Sequence, residues 1–118
     1  AIEEVPREET HRYGVIAGEE ESDGIFRISD MVEKPSVDDA PSNLAIIGRY
    51  VLTPDIFSIL KNTAPGKNNE LQITDALRTQ AMEGNVIGYK FKGRRFDCGS
   101  IEGFMEATDF VYSKIKMK

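Results

Sequence analysis

At 118 residues the chain is sized for one domain around one hydrophobic core, and its 40% apolar and 30% charged residues are the balance expected of a soluble globular protein. The net charge is −5, with basic residues scattered except at Arg94-Arg95 and in the tail Lys114, Lys116 and Lys118, which argues against nucleic-acid binding; no run approaches the roughly 20 apolar residues of a membrane span. A single cysteine, Cys98, and a single histidine, His11, exclude a disulfide framework, argue against a zinc site or a hydrolytic triad, and suit a reducing cytoplasm.

The start, Ala1-Ile2-Glu3-Glu4-Val5-Pro6, has no basic region leading into an apolar stretch and does not read as a signal peptide. It lacks an initiator methionine, so further polypeptide is expected ahead of it. Arg12 to Gly18 reads as a strand, and the acidic stretch Glu19 to Gly24 as a solvated turn ending in Asp-Gly. Ile25 to Glu33 reads as a second strand, with apolar positions at Ile25, Ile28, Met31 and Val32, stopped by Pro35. Ser36 to Asn43 is a loop. Leu44 to Leu52 is an apolar run that suits a strand buried on both faces.

Thr53-Pro54 predicts a helix start, with Ile56, Phe57, Ile59 and Leu60 on the buried side. Asn62 to Asn69 reads as a loop around Pro65-Gly66. Glu70 to Glu83 has helical spacing at Leu71, Ile73, Ala76, Leu77, Ala81 and Met82, closed by Gly84; alternatively Thr74-Asp75 caps the start and Leu71 to Ile73 is extended. Val86 to Phe91 reads as a strand. Asp97-Cys98-Gly99 turns into a last helix from Ser100 to about Lys116, with Ile101, Phe104, Met105, Phe110, Val111 and Ile115 on one stripe. The order predicts an α/β or α+β fold with a mixed sheet, without the early strand, glycine-rich loop and helix of a doubly wound domain.

Three places could carry chemistry. Glu33-Lys34, locked by Pro35, can present a carboxylate for sugar hydroxyls and an ammonium for a phosphate, or can be a solvated charge pair before a turn. Asp97, at a strand end before Gly99, can be a hard oxygen ligand for Mg²⁺ or the cap of the final helix. Gly14 in Tyr13-Gly14-Val15 can mark close approach to a ligand or simply close packing. Cys98 beside Asp97 reads as a packing residue rather than a reactive thiol.

In order, Tyr-Gly-Val, Val-Glu-Lys-Pro, Ser-Asn-Leu-Ala-Ile-Ile-Gly-Arg-Tyr-Val-Leu, Asn-Glu-Leu-Gln-Ile-Thr-Asp-Ala-Leu and Phe-Asp-Cys-Gly-Ser resemble the sugar nucleotidyltransferases, and within them the bacterial UTP–glucose-1-phosphate uridylyltransferases, from about Tyr13 to the final helix. The resemblance implies the carboxyl-terminal, mixed-sheet portion of a Rossmann-like nucleotidyltransferase fold, a single unit spanning 1–118. It implies that Gly14, Ala45, Ile46 and Ile47 line a sugar pocket, Glu33 binds sugar hydroxyls, Lys34 binds the sugar phosphate, and Asp97 sits by a catalytic Mg²⁺. The ligands it implies are glucose 1-phosphate, UTP and UDP-glucose, and a homo-oligomer is expected, with an apolar face left uncovered. The family's nucleotide-binding glycine-rich loop has no counterpart, since no Gly-x-Gly occurs in the chain. The chain alone is therefore expected to be inactive. A related thymidylyltransferase and a sugar-binding or subunit-association module are the alternatives.

Overall fold

The structure is a computed structural model that describes residues 1–118, apart from the side chain of residue 67. Five strands, β1 (Ile2–Glu4), β2 (Gly14–Ser22), β3 (Ile25–Glu33), β4 (Leu44–Ile46) and β5 (Ile87–Tyr89), form one sheet in the order β1-β4-β2-β3-β5. Every ladder is antiparallel, and the mixed character expected from the sequence rests on one isolated parallel bridge between Ile2 and Lys90. That bridge joins residues at the two outer edges, so the sheet curls until its edge strands meet.

Of three α-helices, α1 (Ile56–Asn62) and α2 (Ile73–Met82) lie between β4 and β5 in the chain, and α3 (Ile101–Lys116) follows β5. α2 packs on β3 and α1 packs on α2. The core between them is Ile2, Ile16, Phe26, Ile28, Met31, Ile56, Ala76, Leu77 and Ala81. The start of α2 falls between the two predicted forms: Gln72 is its extended N-cap and Ile73 its first helical residue, Leu71 is exposed, and Gly84 closes the helix at φ 77°. α1 begins two residues later than Thr53-Pro54 suggests, because Thr53 and Asp55 are engaged from α2. Gln80, itself buried, donates to Thr53 Oγ1 (3.2 Å) and Asp55 Oδ2 (2.8 Å).

The structure corrects the sequence reading in several places. Glu19 to Ser22, read as part of a turn, continue β2 in register with Arg27, Phe26 and Ile25 of β3. β1 is new: three residues carry too little pattern to be read, yet they pair along all of β4. The apolar run from Leu44 forms a strand only as far as Ile46, and Val51 is fully exposed at 102%, because β4 pairs with β1 over three residues and with β2 at Ala45 alone. Phe57 lies outside the core at 69% exposure, since a seven-residue helix against a single neighbour buries little more than Ile56. Cys98 is exposed rather than packed.

α3 has the predicted period but buries none of its residues. It is held at Phe110, whose ring lies 5.2 Å from that of Phe96, with the Arg94 guanidinium over both rings and bonded to Glu106 at 3.2 Å. The radius of gyration, 16.0 Å, exceeds the roughly 13.5 Å of a globule of this length because the helix lies outside it. Among the described residues no helix is long and apolar enough to cross a membrane.

The β2–β3 register shifts between Ala17 and Gly18: Ala17 faces Asp30 and Gly18 faces Ile28, leaving Ser29 as an extra residue on β3. A Cβ on Gly18 would collide with the Arg27 carbonyl oxygen, a backbone atom, so the bulge requires glycine there. Gly18→Ala is expected to destabilise the chain by about 1–3 kcal/mol, and Ser29→Ala, at the exposed bulge position, by less than about 0.5 kcal/mol. Urea unfolding of both variants checks this; equal losses would mean the bulge does not depend on a bare backbone at Gly18.

Candidate functional site

Burial along β3 alternates on the even positions Phe26 and Ile28 and then switches to the odd position Met31. The extra residue at Ser29 causes the switch, because side chains alternate with period two and one inserted residue exchanges the faces. Glu33, two residues after Met31, is thereby turned toward the face that α2 covers. Without the bulge its carboxylate would lie on the opposite side of the sheet.

Gly14 stands directly opposite Glu33 in the β2–β3 ladder, and paired residues share a face. The missing side chain of Gly14 leaves room that Glu33 uses: a Cβ there would lie 3.0 Å from Glu33 Oε2, 3.1 Å from Ile46 Cδ1 and 3.3 Å from Thr74 Oγ1. Three elements therefore converge on this glycine. Thr74, at the start of α2, donates its hydroxyl hydrogen to Glu33 Oε2 at 2.7 Å. An ionised carboxylate can only accept, which fixes the direction of that bond. Thr74 is thus not a helix cap; its hydroxyl is spent across the core edge.

Ala45 has no exposed surface and is in register with both Glu3 and Val15. It supports the wall from behind, and Ile46 forms the wall. Lys34 follows Glu33 with its N–H donating to Tyr13 O at 2.9 Å, and its φ is 44°. A left-handed residue that is not glycine costs about 1–2 kcal/mol, and such strain collects where a side chain must be aimed. The strand therefore ends on Glu33 and turns sharply at Lys34.

Asp97 is reached through Tyr13. Arg12 Nη2 lies 3.6 Å from Asp97 Oδ2, and the guanidinium sits 5.6 Å from the Tyr13 ring centroid. Arg95 lies 5.3 Å from the same ring and donates to Tyr13 Oη at 3.2 Å. Arg95 is itself anchored on Glu3 at 2.6 Å, and this bond holds its pKa above the ordinary value. Asp97 Oδ1 accepts from Gly99 N–H at 3.1 Å, and Ser100, not Asp97, caps α3 by accepting from Gly103 N–H at 3.1 Å. The carboxylate is half exposed, and no group of three potential metal ligands occurs among the described residues. Asp97 fits the role of one carboxylate ligand to a Mg²⁺ whose other ligands are phosphate oxygens and water, but it does not make a metal site by itself.

Two further residues belong to this region. The Tyr50 phenol is raised above its ordinary pKa, first by burial and then by the negative charge of Glu33. Arg78 on α2 holds Asp30 of β3 through both carboxylate oxygens, Nε to Oδ1 at 2.6 Å and Nη2 to Oδ2 at 3.2 Å. Burial acts to raise the Asp30 pKa, but the Arg78 bond, the Met31 N–H and the Arg78 charge together hold it below the usual carboxylate range. A groove of about 680 Å³ runs from Ile46 and Tyr50 along Met31, Leu77 and Val86. It is mostly apolar, and Gly14, Glu33 and Lys34 do not line it. The sequence signal for Thr74 was the Ile-Thr-Asp triplet, and for Tyr50 the Gly-Arg-Tyr segment, but neither could be given a contact without the fold.

A family model described as nucleotidyl transferase matches residues 1–114. The UTP–glucose-1-phosphate uridylyltransferase of Pseudomonas aeruginosa is 64% identical over 115 residues, covering 98% of this chain and 41% of that protein. The enzyme of the same name from Streptococcus pneumoniae serotype 4 is 50% identical over 109 residues, covering 92% and 36%. Among solved structures, a UDP-glucose pyrophosphorylase complexed with UDP-glucose superposes with a TM-score of 0.90 at 64% identity, over 96% of this chain and 43% of that one. A UTP-bound UGPase from Acinetobacter baumannii superposes at 0.71 with 31% identity, over 99% and 44%. The chain spans about two fifths of the length of the relatives it matches.

The convergence on Gly14 is directly testable. Gly14→Ala crowds a methyl group against Glu33 Oε2, Ile46 Cδ1 and Thr74 Oγ1 and is expected to destabilise the chain by about 1–2 kcal/mol. Urea unfolding measures it; a loss below about 0.3 kcal/mol would show that the three elements do not close on that position.

Proposed function

Since the chain belongs to the nucleotidyl transferase family, we propose that it forms the sugar-phosphate half of a UTP–glucose-1-phosphate uridylyltransferase, which makes UDP-glucose and pyrophosphate from UTP and glucose 1-phosphate. The observation that carries the proposal is the carboxylate of Glu33 set against the bare backbone of Gly14, with Lys34 turned at the next residue. A sugar needs a flat approach and a fixed acceptor for its hydroxyls, and its phosphate needs a compact cation.

In this reading Glu33 accepts from sugar hydroxyls, Gly14 makes the room in which the Glu33 carboxylate is set, and Ile46, backed by Ala45, walls the apolar side. Lys34 binds the sugar phosphate. The phosphate oxygen attacks the α-phosphorus of UTP, a P–O bond forms there, and pyrophosphate leaves. The two substrates repel each other, so the chain's contribution is to position the nucleophile and offset its charge. Asp97, with phosphate oxygens, would hold Mg²⁺, whose charge neutralises the reacting phosphates. In this reading UTP is held by the part of the relatives' length that this chain does not span. Support for the uridylyl branch comes from the names of the most similar relatives and the UDP-glucose complex among the structural neighbours.

Two variants of the complete polypeptide test the assignment. Lys34→Ala removes a charge-assisted contact worth about 1.5–3 kcal/mol and should weaken glucose 1-phosphate roughly 10- to 150-fold, with UTP affinity nearly unchanged. Calorimetric titration with each substrate reads this, and equal losses for both would point to a folding defect. Asp97→Asn replaces a carboxylate with a weak Mg²⁺ ligand and should lower kcat far more than it weakens glucose 1-phosphate. If kcat stays within about threefold, under 1 kcal/mol in barrier, Asp97 serves only the turn before α3.

A further inference from the structure

The oxygen that Thr74 holds on Glu33 is the oxygen nearest Gly14, and Thr74 is not free to choose another partner. Its residue is 4% exposed. It shares a face of α2 with Leu77 and Ala81, three and seven positions on, both in the core. One turn further along, Arg78 holds Asp30 of β3 with two bonds. The position of the hydroxyl is therefore set by the packing of α2, and the Thr74–Glu33 bond forms at a point the core has already chosen.

We propose that Thr74 is a positioning residue for the sugar subsite: its hydroxyl fixes the Glu33 carboxylate by occupying Oε2 and leaves Oε1 to accept from the sugar. The proposal rests on Glu33 being the sugar ligand. A carboxylate on two free side-chain torsions can rotate to accept from many arrangements of hydroxyls. One held at a single oxygen presents the other in one direction, so the hydroxyl pattern of the hexose is discriminated as well as bound. Thr74 also carries spare acceptor capacity, 3.3 Å from where a Gly14 side chain would begin, so the edge of the subsite stays polar.

The test uses the complete polypeptide with glucose 1-phosphate as probe, and the variants Thr74→Val, Thr74→Ser, Glu33→Gln and the double variant Thr74→Val/Glu33→Gln. Valine keeps the shape and removes the donor. Thr74→Val should weaken glucose 1-phosphate about 10-fold, as loss of one hydrogen bond to a charged group implies, with the KM for UTP within about twofold. Thr74→Ser should recover affinity to within about threefold of wild type, which a packing role would not allow, because serine lacks the methyl group. In the Glu33→Gln background Thr74→Val should add less than about twofold, the signature of two groups acting as one. Wild-type affinity in Thr74→Val, while Glu33→Gln binds weakly, would overturn the positioning role and leave Glu33 as the ligand. Full additivity of the two losses, or equal losses for UTP and glucose 1-phosphate, would overturn it too. Wild-type affinity in Glu33→Gln would instead remove Glu33 from the subsite, and the proposal with it.

Discussion

One unpaired residue on β3 determines which way the site faces. Upstream of Ser29 the even positions of the strand point into the core; downstream of it the odd positions do. Glu33 is at an odd position, so its carboxylate meets α2 and Gly14 rather than the outer face of the sheet. The bulge in turn requires close approach of β2 at Gly18, where the Arg27 carbonyl leaves no space for a side chain. Two glycines four residues apart on β2 therefore do different work for one purpose. Gly18 permits the shift in register that aims the carboxylate, and Gly14 makes the space it is aimed into.

The placement of α2 is the second constraint, and its energetics favour packing over charge. Leu77 is buried against β3, and full burial of such a side chain contributes about 1.5–3 kcal/mol. The Arg78–Asp30 pair is 48% and 38% exposed, and pairs at that exposure contribute no more than about 1 kcal/mol. Its bidentate geometry does more to set the rotation of the helix than to hold it down. Gln80, buried and bonded to Thr53 and Asp55, then ties α1 to the same helix. The Thr74 hydroxyl thus sits on an element whose position is decided by apolar contacts along its whole length.

Asp97 is built in a different way. It lies beyond the sheet, in a turn closed by its own side chain, and reaches the rest of the site through Arg12, Tyr13 and Arg95. Tyr13 is the joint: its carbonyl accepts from Lys34, while its ring lies beside both arginines. α3, which follows Asp97, buries no residue and leaves Phe104, Met105, Val111 and Ile115 more than half exposed. The Glu33 side of this region is held by a core, and the Asp97 side by polar contacts at the surface.

The sequence by itself determined what depends on near neighbours. β3 begins and ends where its pattern and Pro35 predict, α2 and α3 have the predicted period, and Glu33-Lys34 falls at a strand end as the motif requires. Even the bulge left a trace, in apolar positions that fall out of strict alternation between Ile28 and Met31. Only the tertiary structure decided the rest. β1 exists because β4 has a free edge for three residues, which nothing in Ile2-Glu3-Glu4 announces. The run from Gly48 to Leu52 is exposed because no further strand lies beside it, although its composition is that of a buried one. Thr74 meets Glu33 across 41 residues of chain. Periodicity reports which face of an element is apolar, and it carries no record of what that face will touch. That depends on how the elements pack, and so the motif that the sequence could only mark as a signature acquired a contact when α2 came down on β3.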